Sequence, residues 1–78
     1  AMMGLKKKNA QIVLDTFTNV PDADVSSFEN GLSYLKQLRT KVQREGKSAF
    51  PTGILQGANE RFILQFLDNQ IKALEGVL

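Results

Sequence analysis

Residues 44–53 read REGKSAFPTG, and Gly46-Lys47-Ser48 within them are the letters that close a phosphate-binding P-loop. A P-loop joins a strand to a helix, so that reading makes the chain α/β. A bend between two helices makes it all-α. Spacing decides between them. The motif needs a glycine five residues before its Gly-Lys pair, and Lys41 stands there. Context agrees, because a helical pattern runs into Gly46 rather than starting after it. The carbonyl oxygens at a helix C-terminus repel phosphate. As a bend, every residue has a task. Gly46 stops one helix, Phe50 tucks under the turn, Pro51 blocks continuation and Thr52 caps the next helix. An exposed Phe50-Pro51 pair would instead be a contact point, a reading that burial of Phe50 removes.

Upstream of the bend lies the clearest helix. Asp24 and Ser26 are both candidate N-caps, and Ser26-Ser27-Phe28-Glu29 has the form of a capping box. Phe28, Leu32, Leu35, Leu38 and Val42 share one face, with Phe28, Leu35 and Val42 repeating every seven residues. Gly31 interrupts that seam. Gly46 stands where a left-handed residue closes a helix, and Lys41, Arg44 and Lys47 suit the negative end of its dipole.

Downstream, a third helix is expected from residue 53 or 54 to residue 76. Thr52 is one N-cap candidate. Asn59 is the other, because Gly57 weakens the first turn. Leu55, Phe62, Ile63, Phe66, Leu67, Ile71, Leu74 and Leu78 form an apolar stripe wide enough for two neighbours. Asp68 and Lys72 stand in the order that favours an i, i+4 ion pair. The short link predicts that the second and third helices lie antiparallel as a hairpin.

The first segment, residues 5–18, places Ala10, Val13, Leu14 and Phe17 on one helical stripe. Its β-branched and aromatic content also suits a strand over residues 10–20. Helix is preferred because two-residue alternation fails across Ile12-Val13-Leu14. Pro21 turns Val20 away from helical angles and ends the segment. The expected architecture is therefore all-α: a short N-terminal helix plus a long antiparallel helical hairpin. Together they form a three-helix bundle that oligomerisation would complete if the first helix does not. Residues 5–78 read as a single helical domain. Residues 1–4 read as a disordered N-terminus, with Ala1 as an expression scar.

Composition narrows the function. The 78 residues contain no Cys and no His, which excludes disulfides, thiolate metal sites and imidazole acid–base chemistry. Carboxylate pairs such as Glu60 with Asp68, or Asp22 with Asp24, lack an apolar setting that would tune them for catalysis. The expectation is no enzyme, no cofactor, no metal and no small-molecule substrate. No run approaches the length of a membrane span. Lys6-Lys7-Lys8 is followed by too short an apolar segment for a signal peptide. A cytoplasmic protein without membrane partners is expected.

What remains is apolar surface and a charge asymmetry. The leading expectation is a protein–protein interaction or self-association module, with a homo-oligomer the favoured form. Its contact residues would be Phe28, Leu35, Leu38, Val42, Phe62, Ile63 and Phe66. The alternative is a nucleic-acid-binding or regulatory accessory protein using Lys36, Arg39, Lys41, Arg44 and Lys47.

Overall fold

The computed structural model describes residues 2–78, with side-chain surroundings from residue 4 onward. Three helices make up the fold: α1 (Met2–Phe17), α2 (Val25–Glu45) and α3 (Glu60–Glu75). Among the described residues there is no strand. Residues 10–17, open to a strand reading by composition, are helical, and the chain is all-α. Helix α1 begins at Met2, so residues 2–4 form its first turn, while Ala1 lies outside the described residues.

Side-chain caps set the starts of the other two helices. Asp24 is the N-cap of α2, and its carboxylate accepts the backbone N–H of Ser27 at 2.9 Å. The Ser27 hydroxyl donates to the same oxygen at 3.0 Å. The capping box at Ser26 is therefore not the one used: the helix starts at Val25 with Asp24 as its cap, which places Ser26 inside the first turn. Asn59 caps α3 in the same manner, accepting the Phe62 N–H at 2.8 Å.

Helix α3 consequently starts at Glu60 and not at residue 53 or 54. Gly53 and Gly57 hold φ of 93° and 84°, which no right-handed helix accommodates. The link between α2 and α3 is thus residues 46–59, longer than the sequence indicates. Gly46 has the expected positive φ of 94°, but its ψ of −179° is extended rather than left-handed helical. That region is open essentially to glycine alone. A short 3-10 turn, Lys47–Ala49, comes next. Phe50 is then buried, only 5% exposed, and meets Phe17 and Phe66 edge-on at centroid distances of 6.2 and 6.4 Å. Its burial removes the reading of Phe50-Pro51 as an exposed contact and anchors the long link to the core.

Contacts along the helices reveal their directions. Lys36 meets Glu75 and Arg39 meets Asp68, so partners on α2 and α3 run in opposite senses. This is the expected antiparallel hairpin. Leu14 lies against Gly31 and Phe17 against Tyr34, so partners on α1 and α2 advance together. Helix α1 is therefore parallel to α2 and antiparallel to α3.

A parallel neighbour requires the chain to run back after α1, and Gln11 holds that return. Its side-chain amide donates to the Val20 carbonyl at 2.8 Å and accepts the Ala23 N–H at 2.9 Å. A turn at residues 21–22 lies between, with Asp22 at φ 52°, a conformation aspartate tolerates better than most residues.

The core is drawn from all three helices and both links: Val13 and Leu14, Ala23, Leu35 and Val42, Phe50, and Ile63, Leu67 and Leu74. Each large member contributes roughly 1.5–3 kcal/mol on burial, the quantity that must offset chain entropy in so small a domain. Among the described residues no buried side-chain polar atom lacks a partner. The bundle measures 37 × 20 × 18 Å.

Candidate interaction surface

The seven residues expected at an apolar interface separate into two groups. Phe28, Leu35, Leu38, Val42 and Ile63 are buried in the chain's own core. Phe66 is half-buried beside Phe17 and Phe50. Phe62 alone is open, 57% exposed. It sits in the first turn of α3, where the ring borders a shallow depression lined by Leu55, Ala58 and Asn59. Within one chain, α1 and α3 consume the seam of α2, so a partner meeting the folded chain reaches mainly Phe62 among these seven.

The five basic residues also divide. The Arg39 guanidinium forks onto Asp68, with Nη2 donating to Oδ2 at 3.3 Å, and its Nη1 donates to Gln43 at 3.2 Å. Asp68 thus pairs across the hairpin with Arg39 rather than along α3 with Lys72. Lys36 Nζ lies 3.7 Å from Glu75, and Arg44 lies 3.5 Å from Glu45. Lys36, Lys41 and Arg44 surround a shallow cleft with Gln37 and Thr40 on the outer face of α2. Lys47 is outside this group, in the 3-10 turn beyond the helix end.

The third surface is one the apolar stripes did not reveal. A groove of about 510 Å³ runs along α1 where the return segment folds beside it. Along α1, Lys7 and Lys8 stand at one end and Asp15 at the other, with Gln11 and Ile12 between, while Asp22 borders the groove from the return segment, next to the Ala23 that Gln11 holds. Ile12 is 54% exposed, and Leu5, one heptad earlier, is 58% exposed. Leu5, Lys8, Ile12 and Asp15 have a 3-4-3 spacing and so share one strip of the helix. The signal lay in Ile12, which falls off the stripe of Ala10, Val13, Leu14 and Phe17 that faces the core.

Local electrostatics are mild. The Asp24 carboxyl lies below its ordinary value because the charged form accepts first the Ser27 N–H and then the Ser27 hydroxyl. Among the described residues no group of carboxylates converges as metal ligands would. No described helix is long and apolar enough to cross a membrane. No protein family, curated protein or solved structure matches this chain.

Proposed function

We propose that the chain is a non-catalytic protein–protein interaction module whose contacts include self-association. One observation carries the reading. The chain closes its own core and still leaves Leu5, Ile12, Val25 and Phe62 more than half exposed. Scattered apolar side chains are ordinary on a surface, but two of these share one helix strip beside a groove. Among the described residues the charged groups of the surface are spread over several faces, in three modest ion pairs and otherwise singly, rather than gathered round a reacting centre, which supports a binding role over catalysis. A cytoplasmic location is part of this proposal, since a chain without cysteine has no disulfide that calls for an oxidising compartment.

Sedimentation equilibrium over a wide concentration range tests self-association. A mass that rises with concentration supports it. A constant monomer mass removes it and leaves a foreign protein as the partner to be sought.

A second reading, nucleic-acid binding, is favoured by the grouping of Lys36, Lys41 and Arg44 on the outer face of α2. It is weakened by Arg39, whose guanidinium is already engaged with Asp68. Phosphate binding weakens steeply as salt rises. Absence of any affinity for labelled duplex or single strands at low salt removes this reading.

A further inference from the structure

We propose that the groove along α1 is the seat of a second copy of this chain, with the two α1 helices packed antiparallel about a two-fold axis near Ile12. The inference rests on the self-association reading and specifies its surface.

Charge complementarity selects the occupant. Along α1 the groove is basic at Lys7–Lys8 and acidic at Asp15, with Asp22 set between them on the return segment beside Gln11. Among the described residues none of these four takes part in an ion pair. A surface that is positive at one end and negative at the other is complementary to its own copy turned end for end. A two-fold interface requires that relation, because residue i must meet residue j while j meets i. With the axis near Ile12, Lys8 of each copy opposes Asp15 of the other. Ile12 meets its counterpart on the axis, and Leu5 lies opposite residues 18–19, just past the end of the other helix. A parallel pairing sets Lys8 against Lys8 and Asp15 against Asp15, which repel. An anionic membrane would be attracted by the lysines but repelled by the two aspartates of the same groove.

The expected dimer is weak. Helix α1 has 16 residues and so spans about 24 Å. One strip of such a helix covers less than the roughly 800 Å² per partner of a stable interface. Association in the micromolar range or above, favoured by low salt, is expected.

A charge swap tests the geometry. Wild type, Lys8→Glu and Asp15→Lys are each measured by sedimentation equilibrium, with circular dichroism to confirm folding. The expected result is a weak wild-type dimer and about tenfold or greater weakening in each variant, because both symmetric pairs become repulsive. Mixing the two variants should restore association as a mixed dimer, in which both pairs are again opposite in sign. The cysteine-free chain offers a second measurement. Ile12→Cys should form a disulfide-linked dimer under mild oxidation far faster than Phe62→Cys, whose site lies off the axis. A wild-type dimer insensitive to both charge variants, or variants that dissociate and are not restored by mixing, overturns this surface while leaving self-association standing. A wild type that is monomeric throughout, or that binds anionic vesicles without dimerising, overturns both.

Discussion

Leu14 of α1 occupies the space that a side chain on Gly31 of α2 would need, and Leu74 Cδ1 of α3 stands 3.5 Å from the same point. Gly31 is buried at the place where all three helices converge. The glycine that looked like an interruption of the α2 seam is the residue that admits α1.

Replacing Gly31 sets two effects against each other. Alanine gains about 1 kcal/mol of helix propensity, while overpacking costs about 1–3 kcal/mol. Leu14 is itself buried, so its methyl has little room to retreat. Gly31→Ala should therefore lose about 1 kcal/mol in urea denaturation, and Gly31→Val more. Combined with Leu14→Ala, the loss should fall short of the sum of the single losses by about 1 kcal/mol. A stabilised Gly31→Ala would show that the close approach imposes no constraint.

The Gln11 amide carries a second prediction. It serves as donor to Val20 and acceptor from Ala23, so no single-function group replaces it. Gln11→Ala should cost about 1–2 kcal/mol and speed hydrogen exchange at the Ala23 amide. Gln11→Glu keeps the acceptor, loses the donor and places a carboxylate near Asp15, so it should not restore stability. Unchanged exchange at Ala23 in Gln11→Ala would show that the return segment holds itself.

The Arg39–Asp68 pair is partly exposed, at 33% and 41% for the two side chains, so solvent screens it. Arg39→Ala should cost about 1 kcal/mol or less, and the cost should shrink at high salt. Arg39→Lys should not recover it, because an ammonium cannot form the two-pronged contact. If Arg39→Lys equals wild type in thermal unfolding, the fork contributes nothing beyond charge.

Acid should loosen the start of α2. In the folded chain the Asp24 carboxyl is held below the pH at which a free aspartate titrates, chiefly by the Ser27 N–H and hydroxyl that its charged form accepts. Its contribution is complete above that pH and is lost as pH falls through the lowered folded value, since the unfolded chain then binds the proton more readily. Asp24→Asn keeps an acceptor for Ser27 but does not titrate. Stability measured at pH values below the ordinary aspartate range should therefore fall less steeply in Asp24→Asn than in wild type. Parallel acid limbs would remove Asp24 as a source of the pH dependence.

The helix over residues 10–17 and the inward turn of Phe50 are preferred readings that the structure decided. Residue order alone determined that the second and third segments are helical, where α2 lies and that Gly46 ends it. These are local matters of periodicity, caps and punctuation, each decided within a few residues. It also offered Asp24 and Asn59 among the candidate caps without ranking them. The start of α3 was hidden because Leu55 continues the apolar stripe numerically while Gly53 and Gly57 break the helix. Only the tertiary structure decided the direction of α1, because that depends on Gln11 reaching Ala23 and on Leu14 fitting against Gly31. It also decided which apolar residues face outward. Phe28 and Phe62 look alike in the sequence, yet one is sealed by its neighbours and the other is not. Burial is a property of what packs on a side chain from elsewhere in the chain, and periodicity reports only which residues share a face.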